Sequence, residues 1–117
     1  MGFLIAQRAY LKLYMITLVE KHRGYGYQML EELKRDFKEL GYEPPQSEIY
    51  RSLHDLVEDG ILYRARHRKD DAEYQEVIMY YFTDHGMEKA SLYRKQVIED
   101  LERSQALIHK AIKDNSI

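Results

Sequence analysis

The chain has 117 residues, 44% of them hydrophobic and 32% charged, with a formal net charge of -2. That is the size and balance of one soluble globular domain, large enough to bury a core without covalent staples. It contains no cysteine, which excludes disulfides and thiolate metal sites and gives no sign of secretion.

Residues 3–21 read as a helix that is apolar around most of its circumference, and such a helix needs neighbours on more than one side. Gln7, Arg8 and Lys12 interrupt its N-terminal half. The stretch is therefore too short and too charged to cross a bilayer, and it lacks a small-residue cleavage site, so a cytoplasmic location without a membrane partner is expected. Arg8 and Lys12 lie four apart on one face, placed either to meet phosphate or to remain two solvated cations. The run from His22 to Gly26 reads as a turn. Its two glycines lack the lysine and hydroxyl of a phosphate-binding loop and follow a helix rather than a strand.

A second helix is expected over residues 27–40, with Leu30, Leu33, Phe37 and Leu40 on one face and a charged opposite face, closed by Gly41. A third follows Pro44 and Pro45. Ser47 is available as its N-cap, and Gly60 is placed for a left-handed residue just past its end. Ile49, Leu53, Leu56 and Val57 form its inner stripe. Gln46, Ser47, Glu48, Arg51, Ser52 and Asp55 are expected on the outer face, with Tyr50 and His54 at the border. Arginine bonds guanine O6 and N7 in a bidentate fork, and glutamate accepts from cytosine N4. The acids at 48, 55 and 58 equally suit an ordinary solvated face.

Two strands around a polar tip at residues 69–73 come next. Alternation puts Leu62, Arg64, Arg66 and Arg68 on one side of the first strand, and Ile61, Tyr63, Ala65 and His67 on the other. Positions 64–69 hold Arg64, Arg66, Arg68 and Lys69, and local cation density matters more to phosphate than a slightly negative total. A capped helix feeding directly into a basic hairpin is the pattern of an α+β winged helix-turn-helix domain. We place that domain at residues 1–83.

Residues 84–113 carry no breaker beyond Gly86 in the first turn and predict a helix about 45 Å long. Its apolar seam runs Tyr93, Val97, Leu101, Ile108 and Ala111, widened by Ile98 and Ile112, with Ser104 and Gln105 as a polar gap. The preceding domain is too small to cover such a helix. The economical partner is the same helix of a second copy, making residues 84–117 a dimerisation helix, with folding back onto its own domain as the other option.

Catalytic chemistry has no foothold. The five histidines are scattered without ligand spacing, and there is no nucleophile motif or dinucleotide fingerprint, so neither an enzyme nor a bound metal or cofactor is expected. The eleven tyrosines lie mostly in apolar stripes and read as packing residues.

Four stretches in order, GFLIAQRAYLKLYMITLVE, GYEPPQSEIYRSLHDLVEDGIL, YQEVIMYYF and LYRKQVIEDLERSQALIHKAIKDN, resemble the replication terminator protein family of Bacillus-type bacteria over nearly the whole chain. The segment IYRSLHDLVEDGIL alone is also similar to PadR-type transcriptional regulators. The terminator resemblance implies a homodimer joined by its long C-terminal helices, with two recognition helices on double-stranded DNA. It further implies cooperative binding of two dimers and arrest of a replicative helicase arriving from one side. By position it implies DNA contacts at Gln7 and Arg8, at Ser47, Glu48, Tyr50, Arg51 and His54, and in the wing at Arg64, Arg66, Arg68 and Lys69. Ala6 stands where the family carries a lysine, a basic N-terminal arm is expected to be missing, and the wing tip is acidic (Asp70, Asp71, Glu73). Each phosphate contact removed lowers the salt slope by roughly 0.9. A repressor on the same scaffold, or a dimeric interaction module without DNA, are the competing readings.

Overall fold

A computed structural model describes residues 3–21, 26–68 and 76–117. The order is α1 (Gln7–Glu20), α2 (Gly26–Lys38), α3 (Gln46–Glu58), β1 (Leu62–Arg68), β2 (Glu76–Phe82) and α4 (Gly86–Asn115). Of the turn expected over 22–26, residues 22–25 lie outside the described residues, as does the wing tip with Lys69 and the three tip acids, while Gly26 is the first residue of α2 rather than part of a turn.

α1 sits at the centre and packs against α2, α3, α4 and β2, as its all-round apolarity requires. Leu11, Met15, Ile16, Leu18 and Val19 meet Met29, Leu30, Leu33 and Phe37 of α2 and Ile49, Leu53 and Leu56 of α3 in one core. Ile61, Leu62, Tyr80 and Ala90 close it from the sheet and from α4. Each buried aliphatic side chain contributes about 1.5–3 kcal/mol, so this cluster is the main source of stability.

The helix starts differ from expectation. α1 begins at Gln7, so Phe3 and Leu4 lie outside it and are exposed. α3 begins two residues earlier than a Ser47 cap allows. Pro45 is its N-cap, with φ -61° and ψ 140°, and no side chain caps it. The Pro45 carbonyl accepts from Ile49 N–H (3.2 Å) and Glu48 N–H (3.0 Å). The pyrrolidine ring fixes φ and the extended ψ starts the helix cleanly, which leaves Ser47 on the outer surface of the first turn.

The helix stops follow the glycines. Gly41 and Gly60 have φ of 74° and 75°. At the end of α3, Gly60 N–H donates to Val57 C=O (3.1 Å) and Ile61 N–H to Leu56 C=O (3.0 Å), the paired bonds of a Schellman end. α2 ends at Lys38 rather than at residue 40. Leu40 is thrown outward by the Gly41 turn, and Tyr42 replaces it, its ring 5.5 Å from Phe37 and 6.1 Å from Tyr10.

β1 and β2 pair antiparallel in register from Leu62↔Phe82 to Arg68↔Glu76. A two-stranded ribbon is marginal alone. This one is anchored at its root by Leu62 and Tyr80 in the core and by Thr83, whose Oγ1 donates to Gly60 C=O (2.6 Å) and whose N–H donates to Ile61 C=O (3.1 Å).

α4 docks its first half on α1. Arg94 donates through Nη1 to Glu20 (2.9 Å), and through Nη2 to Glu20 and to Thr17 Oγ1 (3.2 Å). Those bonds hold the Glu20 carboxyl below its ordinary pKa. A depressed carboxylate stabilises the fold above its unfolded value and loses that contribution as pH falls through the folded one. Both side chains are about a third exposed, so screening keeps the effect small. Arg94→Gln is expected to cost about 1 kcal/mol or less at neutral pH in urea titrations, with the difference from wild type vanishing near pH 2.

Candidate nucleic-acid interface

α3 has three stripes, and its function divides among them. Ile49, Leu53 and Leu56 face the core. Glu48, Ser52, Asp55 and Asp59 recur at spacings of 4, 3 and 4 and turn toward α1. Ser47, Tyr50, Arg51, His54 and Glu58 remain exposed.

The middle stripe corrects the expected outer face. Ser52, expected among the residues reaching base edges, has no exposed surface, and its Oγ donates to Glu48 C=O (2.7 Å). A small hydroxyl satisfied within its own helix lets α1 and α3 approach closely. Glu48 and Asp55 are both engaged by Arg8: Nε lies 3.3 Å from Glu48 Oε2, Nη2 3.4 Å from Glu48 Oε1, and Nη1 3.5 Å from Asp55 Oδ2. The hydrogen bonds to Glu48 raise the guanidinium pKa, and both carboxylates add to that electrostatically.

One turn further along α1, Lys12 extends its Nζ to 3.4 Å from Asp59 Oδ2 and 4.8 Å from the centre of the Tyr93 ring, with its side chain only 13% exposed. Burial pushes the Tyr93 phenol up to about 12, with Asp59 and Asp55 adding to it. Lys12 therefore joins α1, α3 and α4 from within and is poorly placed to reach phosphate. Gln7 is exposed at the start of α1 and donates to the Tyr42 hydroxyl (2.7 Å).

Hence the acidity that made the outer face of α3 ambiguous is largely withdrawn from it. What projects is Gln46, Ser47, Tyr50, Arg51 and His54, the last within 3.0 Å of Glu58. The wing extends this surface. Arg64 and Arg66 are exposed, and Arg64 stands opposite Tyr80 in the ribbon. Burial raises the Tyr80 phenol pKa, Arg64 opposes the shift and Tyr50 adds to it. α3 packs against β1, so its exposed stripe and the exposed Arg64 and Arg66 lie on neighbouring elements. The backbone of Arg68 stands opposite that of Glu76 at the outer end of the register.

The reverse side of the ribbon is aromatic. Tyr63 and Tyr81 lie 5.5 Å apart, and the Tyr81 hydroxyl is 2.8 Å from His67 Nε2. Alternation separates these rings from the arginines but does not reveal that they would stack; only the register does that. A groove of about 600 Å³ beside them is lined by Val19, Tyr63, Met79, Tyr81, Phe82 and Met87, with Glu20 at its edge already committed to Arg94. Among the described residues no group of three or more His, Asp or Glu side chains could hold a metal ion, and no helix is long and apolar enough to cross a membrane.

The expected partner-facing seam of α4 divides in two. Tyr93 and Val97 are used within the chain: the Tyr93 hydroxyl donates to Ala9 C=O (3.0 Å) and Val97 is buried. Ser104 is also buried, its Oγ donating to Asp100 C=O (2.8 Å). Ile98, Ile108 and Ile112 stay 46%, 49% and 63% exposed, with Leu101 half-buried and Gln105 and Ala111 exposed beside them. Positions 98, 101, 105, 108 and 112 are spaced 3, 4, 3 and 4, a seam one step round the helix from the side that docks on α1.

Comparison with known proteins agrees with this architecture. A transcriptional regulator from Clostridium thermocellum superposes with a TM-score of 0.63 at 21% identity, covering 92% of this chain and 97% of that one. A Streptococcus mutans protein gives 0.63 at 19% identity, covering 100% and 97%. The replication termination proteins of Bacillus subtilis and Bacillus spizizenii are each 51% identical over 114 residues, 97% of this chain and 92% of theirs. The sequence model of the family described as Replication terminator protein matches residues 2–116. A winged domain with a clear arginine-bearing face, a long tail helix and identity at this level along its whole length make the chain a member of the replication terminator protein family.

Proposed function

We propose that two copies, joined through the distal half of α4, bind double-stranded DNA and stop a replicative helicase approaching from one side. The observation that carries this is the 51% identity to replication termination proteins over 97% of the chain. The geometry supports it: Ser47, Tyr50, Arg51 and His54 project from a helix of major-groove width, and Arg64 and Arg66 are exposed on the neighbouring strand and suit phosphate. Gln46 and Gln7 flank that surface; the resemblance adds Arg68 and Lys69 as phosphate contacts by sequence position. Residues 1–83 act as the reading head and 84–117 as the tail that pairs the heads.

The test is strand displacement on a duplex carrying a site recovered by genomic-DNA capture, with helicase loaded from either end. Arrest in one orientation only is the expected result; equal unwinding in both rejects directional arrest. Recovery of promoter fragments alone would favour a repressor.

Arg51 is exposed, and no ion pair involving it is seen among the described residues. Arg51→Ala is therefore expected to weaken specific duplex binding about 10- to 100-fold, the cost of one bidentate base contact, with thermal stability nearly unchanged. Fluorescence anisotropy at fixed salt measures it.

A further inference from the structure

We infer that Arg8 acts on DNA indirectly, as a positioning residue that clasps Glu48 and Asp55 and so sets the roll of α3 against α1, rather than as a phosphate contact. This rests on the duplex-binding reading above and assigns Arg8 a different part in it from the direct contact that resemblance implies. All three guanidinium nitrogens are engaged, Nε and Nη2 side-on with Glu48 and Nη1 with Asp55, at 3.3–3.5 Å. One cation faces two carboxylates, so the cluster presents a net negative charge to anything that approaches it, and a phosphate is repelled unless Arg8 lets go. Letting go would leave two carboxylates seven residues apart on one face of α3, unpaired, beside the DNA backbone. Glu48 and Asp55 are two turns apart, so a single bridge across them fixes rotation of the helix as well as its distance from α1. Rotation is the variable that matters here. A rigid roll of α3 about its axis turns Tyr50, Arg51 and His54 together and carries them off the groove floor.

The experiment measures duplex affinity across a salt series for Arg8→Gln, Arg8→Lys and the double variant Glu48→Gln with Asp55→Asn, each checked for folding by thermal melt. The probe is the genomic fragment retained most tightly by the wild-type chain. Expected for positioning: Arg8→Gln loses about tenfold in affinity, the worth of one misaligned base contact, with an unchanged salt slope. Arg8→Lys fails to rescue, because an ammonium cannot fork across Glu48 while holding Asp55. The double variant loses a similar factor although it removes two negative charges. The inference is overturned if Arg8→Gln lowers the slope by about 0.9, if lysine restores binding, or if neutralising the two acids tightens it. A wild-type chain that retains no duplex at low salt would instead overturn the function on which the inference rests, and the inference with it.

Discussion

Replacing Ile98 and Ile108 together by glutamate is expected to yield a folded monomer. Both side chains are about half exposed within the chain, so the winged domain should keep its melting behaviour. In a tail-to-tail dimer the same changes would place four carboxylates in an apolar seam, each costing several kcal/mol to desolvate without a partner. Sedimentation equilibrium reads the oligomeric state, and anisotropy reads the consequence for DNA. Two linked heads gain about 100-fold or more over one through effective concentration, so the variant should lose at least that factor on a two-half-site duplex and little on a single half-site. A variant that stays dimeric would place the seam elsewhere on the surface.

Gly86→Ala is expected to be the most destabilising alanine substitution among the described glycines. A Cβ there would stand 2.2 Å from the Ile61 carbonyl oxygen, 3.2 Å from its carbon and 3.0 Å from Thr83 Oγ1. The obstruction is backbone, and that same oxygen accepts from Thr83 N–H, so relief means prising α4 from the root of the wing. Overpacking together with the lost bond should cost about 3 kcal/mol, lowering Tm by on the order of 10 °C. Gly41→Ala is the informative control. It has φ of 74° but nothing within 4 Å of the added methyl, so only the left-handed penalty of about 1–2 kcal/mol applies. Equal losses at the two sites would show that space at Gly86 is not the constraint.

Much of this architecture is legible in the sequence because local chemistry and tertiary need coincide. Gly60 ends α3 as its position requires, the 3-and-4 spacing in α2 and α3 finds the buried residues, and the arginine alternation in β1 matches the ribbon's register. The exceptions share a cause. A helix contacting two neighbours has two inner stripes, and a periodic count marks only the apolar one. Ser52, Glu48 and Asp55 look like surface because they are polar, yet they line the contact with α1: Ser52 is satisfied within α3, and Arg8 supplies the partner of both acids from forty or more residues away. The tail helix repeats the problem in reverse. Tyr93 and Val97 are apolar at seam spacing but serve their own domain, and only the fold separates them from Ile98 and Ile108 one step round the helix. Leu40 fits its stripe by number alone, since the turn at Gly41 lies outside any helical count.

The corner where Gly60, Ile61, Thr83 and Gly86 bond to one another leaves almost no slack between head, wing and tail. In the proposed dimer this corner would act like the rivet of a fixed caliper, giving each reading head no hinge with which to suit a badly spaced target. Adding or deleting a base pair between half-sites must then be absorbed by bending or twisting the duplex, whose stiffness makes the mismatch expensive. Spacing, as much as base identity, would set which stretches of a chromosome such a pair can grip.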